Sequence, residues 1–407
     1  MTASSTESPP WLVAVSAGRW QLHGIVRAQN AGIRVLALDG DGDAPGLVVA
    51  DCSAHVNIRD SDAVIKAVEN SGIEPAGVIS FASEVGQMAA AAIREKYGLA
   101  GPNELLTKKL TNKKSQRQAW HEAKLPNPDW QAVSTTQQAK KALDEIGFPA
   151  IIKPVDAAGS RGVTKLENMT QFDQAAADAF SHSQTGYIML EEFIEGQEYT
   201  VETFSHKGRT YPLLCTEKLK VPGTKGTVAN ELRTPDMTPE TMKSLEQTAI
   251  GALQAIGYTD GPGHTEIIVN KKGQPYLVET AGRGAGFKVF DAMVPRSSGY
   301  DLAQACAMQA VGLEPPQPEP QGIPVVLRFF PSMPGSVTSI SGFEETADLE
   351  GVESGPFVEI GQRMSKANTD GDRLGYILSW GANRTQALER AKQAEGMISF
   401  EVEECPA

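Results

Sequence analysis

The chain has 407 residues, of which 41% are hydrophobic and 21% charged, and its formal net charge is −13. That composition excludes a chain dominated by disorder, and the acidic balance excludes non-specific binding to nucleic acid or to an anionic membrane, which depends on surplus Lys and Arg. The four cysteines, Cys52, Cys215, Cys306 and Cys405, have no C-x-x-C spacing and suggest neither a zinc site nor a disulfide framework. No apolar run approaches the ~18 residues of a membrane span and MTASSTESPP has no apolar leader core, so a cytoplasmic protein is expected.

In chain order, WLVAVSAG reads as a buried strand, RWQLHGIVRAQNAG as a helix and IRVLALDGD as a second strand ending in acids. A third strand, AGVISFAS, and the Ala-rich helix EVGQMAAAAIREKYG continue the alternation. This predicts a Rossmann-like parallel sheet in a first domain, residues 1–105. Ligands of such sheets gather at the carboxyl ends of the strands, where Ser16, Gly18, Asp39 and Glu84 lie. SAGRWQ is not G-x-G-x-x-G, which argues against a nicotinamide site. Glu84 has two readings: a partner for a substrate ammonium, or an acid placed at the start of the following helix.

A helix through TNKKSQRQAWHE and a Pro-punctuated link lead into a small α+β module, together residues 106–190. Within it, IIKPVDAAGSRGV is no P-loop, because Lys153 precedes the glycines; it suits an anion-cradling loop or a surface hairpin. Residues 191–312 follow, with two strand patterns around EGQE, a basic Gly-rich loop EKLKVPGTKGTVAN and a long helical pattern TPETMKSLEQTAIGALQAIGY. The linker LEPPQPEPQGIP introduces residues 313–407, a β-rich segment completing the body. The fold class expected is therefore multidomain, α/β followed by α+β.

HTEIIVN and PYLVETA read as antiparallel strands joined by KKGQ, a pairing that can bring Glu266 and Glu279 side by side. Two adjacent carboxylates suit Mg²⁺, which takes hard oxygen ligands and keeps water or phosphate for the rest. Alternatively, both line the polar face of an amphipathic hairpin.

Lys113 in TNKKSQR, Lys153 before the small-residue loop, LEEFIEGQEYTVE, and Glu266 and Glu279 followed by Arg283 resemble, in that order and spacing, the ATP-grasp superfamily. The resemblance covers nearly the whole chain; DGPGHTE and ETAGRGAG look most like the carboxylate–amine (amino acid) ligases. It implies a pre-ATP-grasp domain, an ATP-grasp body with a small lid subdomain, ATP and Mg²⁺ (or Mn²⁺) as cofactors, and a loop around Ser160, Arg161 and Gly162 that closes over the triphosphate. By the same resemblance, Lys113 and Lys153 contact phosphates, Glu191, Glu192, Phe193 and Ile194 form the adenine-reading hinge, and Glu198 holds the ribose. Glu266 and Glu279 are the implied metal ligands, and Arg283 faces the transferred phosphate and the acyl phosphate. The pattern departs at Ala281, where many members carry Asn as a further metal-side ligand. His264 reads as a catalytic residue or as a packed, hydrogen-bonded histidine.

The implied reaction joins an amino acid or similar small carboxylate to an amine through an acyl phosphate, releasing ADP and phosphate. A carboxylase or formyl-transfer enzyme of nucleotide metabolism, or a non-catalytic ATP-binding module, would use the same nucleotide residues. Expected partners are small-molecule substrates, without nucleic acid or membrane, in a homodimer.

Overall fold

In the computed structural model, which describes residues 8–157, 159, 161–220, 229–365 and 371–403, the N-terminal alternation builds a four-stranded parallel sheet in the order Cys52–His55, Arg34–Asp39, Trp11–Val15, Gly77–Ile79. Leu12 and Ala14 belong to one core cluster, Val13 and Val15 to another, so both faces of the central strand are covered. That is why the strand reads as an unbroken apolar run. The edge strand Cys52–His55 and the helix Ser61–Ser71 were not anticipated: CSAH has no apolar run, and alternate residues of it are exposed. Asp39 is occupied by backbone N–H groups, from Ala17 at 2.6 Å and Asp41 at 2.9 Å, which suits a loop clamp rather than a ribose ligand.

Two antiparallel sheets follow. The smaller has the order Trp130–Val133, Ile188–Glu192, Ala150–Pro154, Thr164–Leu166, with helices Thr136–Ile146 and Phe172–His182 packed on it. The larger has eight strands: Pro275–Ala281, Gly261–Asn270, Gly196–His206, Arg209–Lys220, Ala229–Arg233, Val325–Pro331, Arg373–Trp380 and Val352–Pro356. The helix Pro239–Ile256 starts at Thr238, whose side chain accepts from the Thr241 N–H, and stops at Gly257 in the left-handed region. Its Leu245, Leu253 and Ile256 pack on Val201, Ile267 and Leu277 of the large sheet.

Ile188–Glu192 belongs to the small sheet and Gly196–His206 to the large one, so Phe193, Ile194 and Glu195 carry the chain from one to the other. The segment after the Pro-rich linker adds three strands to the large sheet and a separate three-stranded sheet of Arg363–Met364, Gly335–Ser341 and Ser399–Glu403. The stretch expected as the loop EKLKVPGTKGTVAN is partly strand. Glu217 to Lys220 complete Arg209–Lys220, because Glu217 and Lys218 pair with Tyr199 and Glu198 on one side and with Arg233 and Leu232 on the other. Residues 221–228 lie outside the described ones. Among the described residues, no helix is long and apolar enough to cross a membrane.

Candidate active site

A cavity of ≈ 340 Å³ lies between the two antiparallel sheets. On one side of it, the helix Lys113–Glu122 begins at Asn112, whose side chain accepts from the Ser115 N–H, and this places Lys113 at the first helical position. The Lys113 ammonium donates to Glu279 Oε1 at 2.8 Å and to the Ala157 carbonyl at 2.8 Å. Burial works against its charge, yet Glu279, Glu84 and Glu266 together raise the Lys113 pKa above the ordinary value.

One helical turn on, Arg117 is fully buried and donates from Nε to Glu191 Oε1 at 2.6 Å and from Nη2 to the Val278 carbonyl at 2.7 Å. Lys153, at the end of Ala150–Pro154, reaches the other Glu191 oxygen at 2.6 Å. Burial would raise the Glu191 carboxyl, but Arg117 and Lys153 hold it down at about 2. The same burial, with Arg117 and Lys113 nearby, lowers the Lys153 ammonium despite Glu191. Lys153 is therefore a compact cation pinned against one wall of the cavity.

Glu192, Phe193 and Ile194 line the crossing between the sheets, and Ile151, Ile268 and Val278 add apolar walls. Such a slot suits a flat heterocycle whose edge meets the polar backbone. Glu198 lies deeper on Gly196–His206, with Lys218 Nζ at 2.5 Å and Lys220 Nζ at 2.7 Å.

Glu266 and Glu279 stand directly opposite each other on Gly261–Asn270 and Pro275–Ala281, so their side chains share a face. In this state lysines compensate them: Lys218 Nζ is 3.2 Å from Glu266 Oε1, as Lys113 is 2.8 Å from Glu279. Against the effect of burial, Lys218 and His264 hold Glu266 well below the usual carboxylate range. Two hard carboxylates facing a cavity also lined by Lys113, Lys153 and Arg117, cations able to meet phosphate oxygens, fit a divalent ion. Among the described residues no group of three or more His, Cys, Asp or Glu could hold one, so phosphate or water would complete its ligands. His264 Nδ1 lies 2.5 Å from Glu202 Oε1 and His264 Nε2 3.7 Å from Glu266 Oε1. Burial would lower the imidazole, but Glu202 and Glu266 raise it to about 10.

Arg283 and Glu84 do not line this cavity. They pair with each other, Nε to Oε2 at 3.0 Å. Glu84 sits in the turn before the helix Gln87–Tyr97, its carbonyl accepting from the Gln87 N–H at 3.2 Å. Of the small-residue loop, Ala157 and Val163 line the cavity, whereas Arg161 and Gly162 do not. Asp156 anchors its start by accepting from the Gln184 and Thr185 N–H groups at 3.1 and 2.8 Å. Ala158 and Ser160 lie outside the described residues.

Sequence reasoning missed four cations at this cavity: Arg117, Lys165, Lys218 and Lys220. Arg117 was within reach, since it lies four residues after Lys113 on the same helix face. The period-two spacing of Lys218 and Lys220 in EKLK was a further signal. Lys165, whose ammonium stands 4.0 Å from the centre of the Phe193 ring, had no local signature.

Residues 146–291 match the family described as ATP-grasp domain, and residues 328–403 match L-amino acid ligase C-terminal domain 2. Phosphoribosylamine–glycine ligase of Lactococcus lactis is 28% identical over 168 residues, 41% of this chain and 40% of that protein. Alanine–anticapsin ligase of Bacillus subtilis is 25% identical over 236 residues, 52% of this chain and 48% of the relative. The chain thus spans less than half the length of either relative. The crystal structure of L-amino acid ligase from Bacillus licheniformis superposes with a TM-score of 0.84 at 20% identity, covering 98% of this chain and all (100%) of that one, a likeness of fold.

Proposed function

This chain belongs to the ATP-grasp superfamily, most like its L-amino acid ligase branch, and on that premise we propose that it is an ADP-forming ligase joining an amino acid or similar small carboxylate to an amine. The observation that carries the reading is the position of Glu279. It accepts from the Lys113 ammonium inside the cavity, and four residues after it Arg283 pairs with Glu84 outside the cavity. One strand end therefore leads from a nucleotide-sized slot to a second charged centre suited to a carboxylate and an ammonium.

A carboxylate resists an amine because oxide would have to leave; phosphorylation turns the leaving group into phosphate. In this reading Lys113 and Lys153 follow the phosphates, as compact ammoniums on flexible stems can. Phe193 and Ile194 hold the base, and Glu198 exchanges its lysine partners for ribose hydroxyls. A divalent ion held by Glu266 and Glu279 would neutralise phosphate charge during transfer. Arg283 stabilises the acyl phosphate, Glu84 takes the ammonium of an amino-acid substrate, and the loop through Gly162 excludes water from an intermediate that hydrolyses readily. The proposed assembly is a cytoplasmic homodimer acting on small molecules.

The test is a nucleotide assay of the purified protein with Mg²⁺, ATP and pairs of amino acids. ADP and phosphate that appear only when a carboxylate and an amine are both present support the ligase. AMP and pyrophosphate as the main products would sink it. ADP release that instead requires bicarbonate or formate assigns a carboxylase or formyl-transfer enzyme, and ATP binding without turnover assigns a binding module.

A further inference from the structure

Glu202 is 1% exposed, in the middle of the large sheet, and the reaction outlined above gives it no role. One of its oxygens is 2.5 Å from His264 Nδ1; the other has no hydrogen-bond partner among the described residues. A buried carboxylate half satisfied in this way is costly unless it serves a neighbour. Register identifies the neighbour. Glu202 lies opposite His264 and Thr200 opposite Glu266, while His264 lies opposite Ala281 and Glu266 opposite Glu279. Residues two apart on a strand share a face, so Glu202, His264, Glu266, Glu279 and Ala281 all project from one side of the sheet.

On that side, Ala281 is too short to reach the carboxylates, and the imidazole across from it stands beside Glu266. His264 Nε2 is 3.7 Å from Glu266 Oε1, the atom that Lys218 also approaches, at 3.2 Å. The two side chains differ in anchorage. Lys218 is a long flexible side chain also bound to Glu198, whose proposed role is to release it when a ribose arrives. His264 is held at its other nitrogen by a carboxylate that is nearly inaccessible. An imidazole anchored in this way keeps its place at Glu266 whether or not Glu198 releases Lys218.

Resting on the ligase reading, we infer that Glu202 and His264 are a positioning pair for the divalent ion, Glu202 fixing the imidazole so that Nε2 holds the Glu266 carboxylate in its ligating orientation opposite Ala281. At 3.7 Å the imidazole limits the orientations of the carboxylate by close contact rather than through a formed hydrogen bond, and loss of such support behind a metal ligand commonly weakens metal binding by about 10–100-fold. Neither residue touches the reacting atoms in this account.

The experiment is Mn²⁺ binding in the presence of a non-hydrolysable ATP analogue, followed by electron paramagnetic resonance, with thermal melts alongside. His264→Ala and Glu202→Ala should each weaken Mn²⁺ binding by about 10–100-fold, and the double variant should be little worse than either alone. His264→Gln and Glu202→Gln, which retain polar groups of similar reach, should recover part of the loss; they also serve if the alanine variants do not fold. Wild-type Mn²⁺ affinity in folded His264 or Glu202 variants, or fully additive losses, would overturn the inference while leaving the ligase reading intact. Failure of the wild-type protein to bind Mn²⁺ with the nucleotide analogue would overturn both.

Discussion

Arg283 Nε lies 3.0 Å from Glu84 Oε2, joining the turn that follows the strand Gly77–Ile79 to the loop that follows Pro275–Ala281. Both side chains are about one-fifth exposed, at 21% and 20%. Burial would lower the Arg283 pKa, but Glu84, Glu279 and Glu202 raise it. From the sequence these two residues have separate tasks, one facing an ammonium and the other an acyl phosphate; in the folded chain each orients the other. Glu84→Ala should therefore raise the KM for one amino acid by roughly tenfold and also lower kcat, with the ATP KM nearly unchanged. A double-mutant cycle of kcat/KM with Arg283→Ala should show coupling of about 1 kcal/mol or more. Strictly additive losses would mean that the ion pair is incidental.

Glu279→Gln should reduce turnover by about 10²-fold or more, since it removes half of the paired carboxylate charge proposed to hold the divalent ion. The contact with Lys113 adds a second effect. With Glu279 neutral, the buried ammonium keeps the Ala157 carbonyl but loses its charged partner, so stability should fall by about 1–3 kcal/mol. Turnover at limiting Mg²⁺ together with a urea titration separates the two, and near wild-type turnover would reduce Glu279 to a polar hairpin residue.

Acid should weaken the nucleotide cavity at Glu191. Its folded pKa, about 2, lies below the ordinary carboxylate value of 4.5, so its contribution to stability is present above about pH 4.5 and is lost as pH falls toward 2. Glu191→Gln leaves Arg117 and Lys153 as buried cations without a counter-charge and should cost about 3–5 kcal/mol at neutral pH. The gap between wild type and variant should narrow when urea unfolding is repeated from pH 6 down to pH 3. A gap that stays constant would show that the Glu191 carboxyl titrates alike in the folded and unfolded chain, so that Arg117 and Lys153 do not hold it down.

Gly162 has φ +70°, and a Cβ there would lie 3.1 Å from Pro154 Cγ and 3.2 Å from the Ala179 backbone. Gly162→Ala should thus cost about 1–3 kcal/mol of local strain and raise the ATP KM by shifting the loop that follows Lys153. Unchanged ATP KM and melting temperature would show that the loop tolerates a side chain and does not need this backbone conformation.

Local physics made much of this protein legible from its sequence. Strand periodicity and the turn KKGQ are enough to pair the strand of Glu266 with that of Glu279, because a hairpin's pairing is set by neighbouring residues, but it is a register shift between Glu266 and Ile267 that puts Glu266 opposite Glu279 rather than Val278. The caps and apolar spacing of Lys113–Glu122 and Pro239–Ile256 are equally local, as is the unbroken apolar run of a strand covered on both faces. What the sequence alone left undetermined is which charges meet. Arg117 with Glu191, Lys218 with Glu266, Glu202 with His264, and Arg283 with Glu84 are all contacts between segments far apart in the chain. Those of Lys218 and of Glu202 depend on strand order and register in the eight-stranded sheet, whereas Arg117 with Glu191 depends on how the helix Lys113–Glu122 meets the small sheet, and Arg283 with Glu84 on how the N-terminal sheet meets the end of Pro275–Ala281. A charged residue's own neighbours encode whether it lies on a strand or a helix; its partner is chosen only when long-range packing brings two faces together and burial makes an unpaired charge too costly to keep.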